Sequence, residues 1–369
     1  MFGVSLALFT SKYGMNEYKN FGTVFGIPCE NEEIAYNVLL PWVSASAVVG
    51  ITLGAVAGYL YMYIKYKISG DGITKEELNN CPKPHSVKAM MKALLSISIP
   101  VALGAIIMNI ASAIDATLVQ RRLSDVMKVM PGTLLKAYEG LIPLETVRSR
   151  TTHVFLAGCF GYMNTVTMLL PTITQGLAIS ALPNVTSAWV KGIKEKIEQS
   201  VEVVLKVTTI ISFPIGIGMS VLSFPIMDLI YNTLGKNRSI GEVCISAQIM
   251  SIYALGVIFV AIGTPICSML QAVGRADIPL KVLAIGVTVK VILNYVLVGI
   301  PEINIQGAGI GTLVCYLFVC IVGLISLRKE IKTPIKWKSV FFKPLFCSLL
   351  CGVAAYTSHG LLSAFIPFK

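Results

Sequence analysis

The chain has 369 residues, of which 55% are hydrophobic and only 13% charged, with a mean hydropathy of +0.75. That is too apolar for a soluble globular domain. The formal net charge is +11, but the basic residues fall in short runs between apolar segments, a distribution that excludes a nucleic-acid partner as its cause.

In chain order, eight long apolar stretches dominate: Leu39–Ile64, Leu94–Leu118, Val154–Asn184, Val203–Tyr231, Cys244–Leu270, Ile278–Ile300, Ile305–Leu327 and Phe341–Ile366. Each can cross a hydrocarbon core of about 30 Å at about 1.5 Å per helical residue. None alternates polar and apolar residues over about ten positions, as a membrane β-barrel strand does. Helices are the remaining way to satisfy the backbone in lipid. The fold class is therefore all-α, a polytopic helical membrane protein.

Ahead of these stretches, Phe2–Phe9 is apolar but too short to span. The polar stretch 10–38 holds Gly14, Gly22, Gly26, Pro28, Glu30, Glu32 and Glu33. It is expected to be the end of a helix followed by an outer loop. Leu39–Ile64 carries Gly50, Gly54 and Gly58 at four-residue spacing, a ridge against which another helix packs closely. Pro100, Pro171, Pro214 and Pro265 fall inside spans and are expected to bend them.

Polar residues within the spans mark the candidate site. Asn109 and Asp115 lie on the second span, Asp115 towards its outer end. The third span carries Asn164, Thr165, Thr167, Thr172, Thr174, Gln175 and Ser180, too polar a set for a surface that faces only lipid. Lys206 is about a turn inside its helix and is expected to snorkel. Lys290 is about 15 Å or more from either end of the sixth span, beyond easy snorkelling reach. Asn294 follows at i+4 on the same face. A charge at that depth costs several kcal/mol unless it meets a partner or a wet cavity. Two readings follow for Lys290: a hydrated path for a polar substrate, or structural pairing with a carboxylate such as Asp115.

If Leu39–Ile64 runs from outside to inside, the cytoplasmic loops are 65–93, 185–202, 271–277 and 328–340. Seventeen basic residues then lie on or beside the inner loops and nine on the outer side, the bias of the positive-inside rule. The loop 119–153, with six basic residues on the outer face, departs from that trend.

Catalysis finds little support. No CxxC, HExxH, GxSxG or phosphate-cradling glycine loop occurs, and His85, His153 and His359 have no ligand spacing. Most of the nine cysteines lie in apolar helices, where a free thiol packs as a small hydrophobe. A non-enzymatic protein without cofactor or metal is expected.

Several segments together resemble a known family. They are IPVALGAIIMNIASAIDATLVQRRL, LLPTITQGLAISALPNVTSAW, VLSFPIMDLIYN, SMLQAVGRADIPLK and VKVILNYVLVGIPEINIQGAGIGT, with SASAVVGITLGAVAGYLYMYIKYK ahead of them. In this order they resemble the polysaccharide exporter and stage V sporulation protein B family. Its superfamily also holds the MviN-type lipid II flippases and the multidrug and toxin extrusion transporters. The resemblance covers residue 40 to the end and places Gly307–Gly311 at the turn into a following helix.

The resemblance implies a transporter of two six-helix lobes that rock about a central cavity. It implies lipid-linked saccharide precursors as substrates, for envelope or spore-envelope polysaccharides, moved across the cell membrane. Mapped here, 1–38 is a remnant helix end and outer loop, 39–64 the last helix of a first lobe and 65–93 a cytoplasmic linker. Residues 94–327 form a six-helix second lobe, and 328–369 a cytoplasmic loop and an additional helix. The chain is thus expected to be an amino-terminally truncated member, with a separate chain as one source of the first lobe. The cavity candidates are Lys290, Asn294, Asn164, Thr165, Gln175, Asn109 and Asp115. The alternatives are a cation-coupled small-molecule extruder, for which Asp115 is the available carboxylate, and a non-transporting scaffold or remnant.

Overall fold

A computed structural model describes residues 2–70, 86–148, 151–234, 239–332 and 336–365. Two compact units make up the chain, Met1–His85 and Ser86–Lys369. The division falls inside the stretch 65–93.

In the first unit, α1 (Phe2–Phe21) and α2 (Glu32–Ser69) pack along one another, joined by a short antiparallel pair, β1 (Thr23–Val24) and β2 (Ile27–Pro28). The expected outer loop is therefore mostly structured. α1 runs through the polar residues to Phe21, where Gly22 at φ 69° ends it. The glycine ridge acts at one point: a Cβ on Gly50 would lie 2.6 Å from the Gly3 Cα of α1. Around Gly58 there is open space within this unit.

The second unit is a helical bundle. α3 (Val87–Val129) is 43 residues long, about 65 Å at 1.5 Å per residue. Its N-terminus is capped by Ser86, whose hydroxyl accepts the Ala89 N–H. Much of the loop expected over 119–153 is helical: α3 continues to Val129, and α4 (Pro131–Ala137) and α5 (Leu144–Arg148) follow. There burial pushes the Tyr138 phenol up to about 12.

The third apolar stretch is two helices, α6 (Thr152–Thr167) and α7 (Leu169–Val190), parted at Met168. Pro171 explains the break. It has no N–H for the Thr167 carbonyl, and its ring crowds that group, yet it is tolerated in the first turn of a new helix. Pro100, Pro183, Pro214 and Pro265 lie within unbroken helices.

The bundle continues with α8 (Lys194–Val221), α9 (Ser223–Asp228) and a π-helical turn, Leu229–Leu234. α10 (Ile240–Ala272), α11 (Asp277–Val298), α12 (Gln306–Ile331) and α13 (Lys343–Phe365) complete it. α10 starts with a capping box between Ser239 and Glu242. It is the most buried of the spans and packs against α6, α7, α8 and α12. Both large apolar clusters of this unit draw on it.

Gly307 and Gly311 lie in the first turns of α12, not in the turn before it. Their role is close approach. A Cβ on Gly307 would lie 2.6 Å from the Leu297 Cβ and 2.8 Å from its carbonyl carbon, and one on Gly311 would collide with the Asn294 side chain. Small residues four apart thus seat α12 on the C-terminal half of α11.

Among the described residues, eight spans are long and apolar enough to cross a membrane. Rows of exposed Leu, Ile, Val and Phe along α2, α3 and α13 suit a lipid surround. The protein is a multi-pass protein of the cell membrane.

Candidate functional site

A cavity of 940 Å³ opens within the second unit, walled by α3, α6, α7, α10, α11 and α12. On α3 its lining runs from Pro100 through Asn109, Ser112 and Asp115 to Gln120. The spacing is three to four residues, so one stripe of the helix faces the space. α6 adds Phe160, Gly161 and Asn164, and α7 adds Pro171, Thr172 and Gln175. α10 contributes Tyr253 and, a few turns on, Thr264, Ser268 and Gln271. α11 contributes Leu280, Leu283 and Lys290, and α12 contributes Tyr316 and Val319. Gln271 and Ala276, at the turn between α10 and α11, mark one end of the lining.

Lys290 and Asp115 are the charged residues among the described residues lining the cavity, and they form an ion pair. The Lys290 ammonium donates to Asp115 Oδ2, and Asn294 Nδ2 donates to Asp115 Oδ1 at 2.9 Å. One carboxylate therefore receives both polar groups of the α11 face, and α3 is tied to α11 at mid-bundle. Lys290 is 6% exposed and Asn294 1%. An unpaired ammonium at that burial would be costly, and the carboxylate removes the net charge. Among the described residues Asn294 Oδ1 has no hydrogen-bond partner, and it rests against Gly311.

Further contacts hold the wall beside this pair. Tyr253 donates its hydroxyl to Asn164 Oδ1 at 3.1 Å, joining α10 to α6. Phe160 meets the Tyr253 ring edge-on with centroids 5.8 Å apart. Tyr316 reaches Met108 Sδ at 3.6 Å, joining α12 to α3. Two turns beyond Asp115, Arg122 Nε donates to the Tyr295 carbonyl of α11 at 3.1 Å, and its guanidinium lies 4.2 Å from the Tyr295 ring centroid. At the α10–α11 turn, Arg275 pairs with Asp277 at 3.2 Å and with Glu330 of α12 at 2.6 Å. The hydrogen bond that Arg275 donates to Asp277, then the charges of Asp277 and Glu330, raise the Arg275 pKa.

Among the residues singled out from sequence, Lys290, Asp115, Asn109, Asn164 and Gln175 line this cavity. Asn294 stands behind it as a partner of Asp115. Thr165 is turned away: it is exposed and donates to the Gly161 carbonyl at 2.9 Å. The residues that sequence reasoning missed are Ser112, Gln120, Tyr253, Gln271 and Tyr316. Ser112 and Gln120 continue the helical stripe of Asn109 and were detectable by periodicity. Gln271 continues the stripe of Thr264 and Ser268 on α10 and was detectable in the same way.

A helical bundle with lipid-facing flanks and a polar, charge-compensated cavity within it is the build of a membrane transport protein. The sequence model of the family described as lipid II flippase MurJ matches residues 150–369, and the chain belongs to that family. This is the lipid II branch of the superfamily that the sequence segments resemble. A lipid II flippase MurJ from Bacillus subtilis (strain 168) is 21% identical over 212 residues, covering 56% of this chain and 37% of the relative. An uncharacterized membrane protein from Methanocaldococcus jannaschii is 30% identical over 167 residues, covering 44% of this chain and 31% of the relative. The chain thus spans about a third of the length of the curated relatives it matches. A solved structure described as lipid II flippase MurJ in an inward closed conformation matches with a TM-score of 0.50 at 15% identity. That match covers 98% of this chain and 66% of the other and is a likeness of fold.

Proposed function

We propose that this chain forms one wall of the translocation cavity of a flippase for lipid-linked saccharide precursors, acting in transport and not in catalysis. The observation that carries the reading is the 940 Å³ cavity, polar within and bounded by helices whose outer faces are apolar. A polyisoprenyl-linked saccharide needs both environments at once. Its tail stays in the bilayer while its polar head enters a wet cleft, which removes the cost of drawing polar groups through hydrocarbon.

The lining reaches Gln271 and Ala276, beside the 271–277 turn that the charge distribution assigns to the cytoplasm. This is the side on which activated precursors are offered for export. Alternating access uses two facing walls, and the facing wall is assigned to polypeptide beyond these 369 residues, a separate chain included. The cation-coupled extruder is the weaker reading, because Asp115, the carboxylate it would use, is engaged by Lys290 and Asn294.

A photoreactive amino acid placed at Gln175 tests the proposal in native membranes. The expected product is a cross-link whose mass carries a polyisoprenyl saccharide. A probe at Ile173, exposed and on the opposite side of the same helix from Gln175, should give phospholipid adducts alone. Phospholipid adducts alone from both positions would sink the proposal.

A further inference from the structure

We infer that this wall of the cavity reads the uncharged, hydroxyl-rich part of its substrate and leaves the anionic diphosphate to be held elsewhere. The inference rests on the flippase reading above and deepens it.

A wall that bound a diphosphate would present an uncommitted cation, because charge-assisted bonds to phosphate oxygens are the strong ones. Among the described residues, the sole basic residue lining the cavity is Lys290, and its ammonium is spent on Asp115. Withdrawing it to meet a phosphate would leave a buried carboxylate unpaired. The same pairing disqualifies the wall for a cationic ligand, which would need Asp115.

What the wall offers instead is five carboxamides: Asn109, Gln120, Asn164, Gln175 and Gln271. The side chains of Asn109, Gln120, Gln175 and Gln271 form no hydrogen bond among the described residues, and Asn164 uses its Oδ1 on Tyr253 while its amide N–H groups stay free. Each amide carries both donors and an acceptor, and each sugar hydroxyl is both donor and acceptor. A set of neutral groups of this kind complements a glycan and is indifferent to a purely apolar ligand. Sites built to bond a hydroxyl discriminate strongly against analogues that lack it, because the polar groups of the site are then left unpaired.

The test uses the full chain, purified in nanodiscs, and two probes. One is a polyisoprenyl diphosphate bearing a neutral oligosaccharide, and the other is the same polyisoprenyl diphosphate without sugar. The saccharide-bearing lipid should bind tighter by about tenfold or more, the worth of one or two net hydrogen bonds. Combining Asn109→Leu with Gln175→Met, two exposed side chains without partners among the described residues, should erase most of that preference. The paired change Asp115→Asn with Lys290→Met, which keeps the wall neutral, should preserve it. Equal affinity for both lipids, or tighter binding of the bare diphosphate, overturns the inference and leaves the flippase reading standing. Failure of both lipids to bind overturns the flippase reading, and the inference with it.

Discussion

Arg122 of α3 caps the end of α11 by donating to the Tyr295 carbonyl at 3.1 Å while its guanidinium covers the Tyr295 ring at 4.2 Å. That carbonyl is among the last four of α11, which ends at Val298, and so lacks an intrahelical donor. A cation there also meets the negative end of the helix dipole. Gly299 makes room for it, since a Cβ at that position would strike the guanidinium. Replacing Arg122 by Leu should cost about 1–2 kcal/mol, the sum expected for a helix-end cation and a ring contact. Arg122→Lys should recover little, because one ammonium cannot both bond the carbonyl and cover the ring. Thermal unfolding in detergent reads this out, and an unchanged midpoint for Arg122→Leu would refute the cap.

Asp115 and Lys290 should behave as a unit. Lys290→Met alone leaves a mostly buried carboxylate with Asn294 as its remaining partner. Breaking such a pair typically costs about 3–5 kcal/mol, whereas replacing both charges is often neutral. The double variant Asp115→Asn with Lys290→Met should therefore be the more stable of the two. A double-mutant cycle on unfolding midpoints supplies the coupling; additive effects would mean that the ion pair contributes nothing.

The α11–α12 seam should be intolerant of a single methyl group. Gly307→Ala places a carbon against the backbone of Leu297, and Gly311→Ala drives one into the Asn294 side chain. Overpacking of this kind costs about 1–3 kcal/mol. The larger loss is expected at Gly307, where the obstacle is backbone and cannot rotate away. Gly104, with open space around it, is the control and should accept Ala. Yield and monodispersity of the three variants from one preparation would rank them, and equal behaviour of Gly307→Ala and Gly104→Ala would contradict the seam.

The direction of the cavity is open to chemical labelling. In a chain cleared of its native cysteines, Gln271→Cys should react with a membrane-impermeant thiol reagent added from the cytoplasmic side. Protection from that side, with reaction from the other, would invert the topology read from the charges.

The fold was largely legible before any coordinates, because eight apolar runs of membrane length leave few alternatives to a helical bundle. What escaped was local. The break at Met168 depends on a single proline three residues on. The helical course of α1 through Thr10–Phe21 was hidden by polar residues such as Lys12, Asn16 and Lys19 that stay exposed while Gly14, Met15 and Tyr18 pack. At the site, the i+4 relation of Lys290 and Asn294 put them on one face from sequence alone. That Asp115 receives both could only be raised as one option, since 175 residues separate Asp115 from Lys290 and sequence spacing says nothing about such a distance. Thr165 shows the converse error: it is polar and sits next to a lining residue, yet helical rotation carries it away from the cavity.

The length of α3 has a mechanical consequence. Asp115 ties this helix to its neighbour about 40 Å from the Val87 end and about 20 Å from the Val129 end, at 1.5 Å per residue. If that tie serves as fulcrum, a small rocking of the helix sweeps the Val87 end through roughly twice the arc of the other, by the ratio of those two arms. A sub-ångström adjustment around one carboxylate would then be geared up into a wide excursion at the far rim, with no hinge required in between.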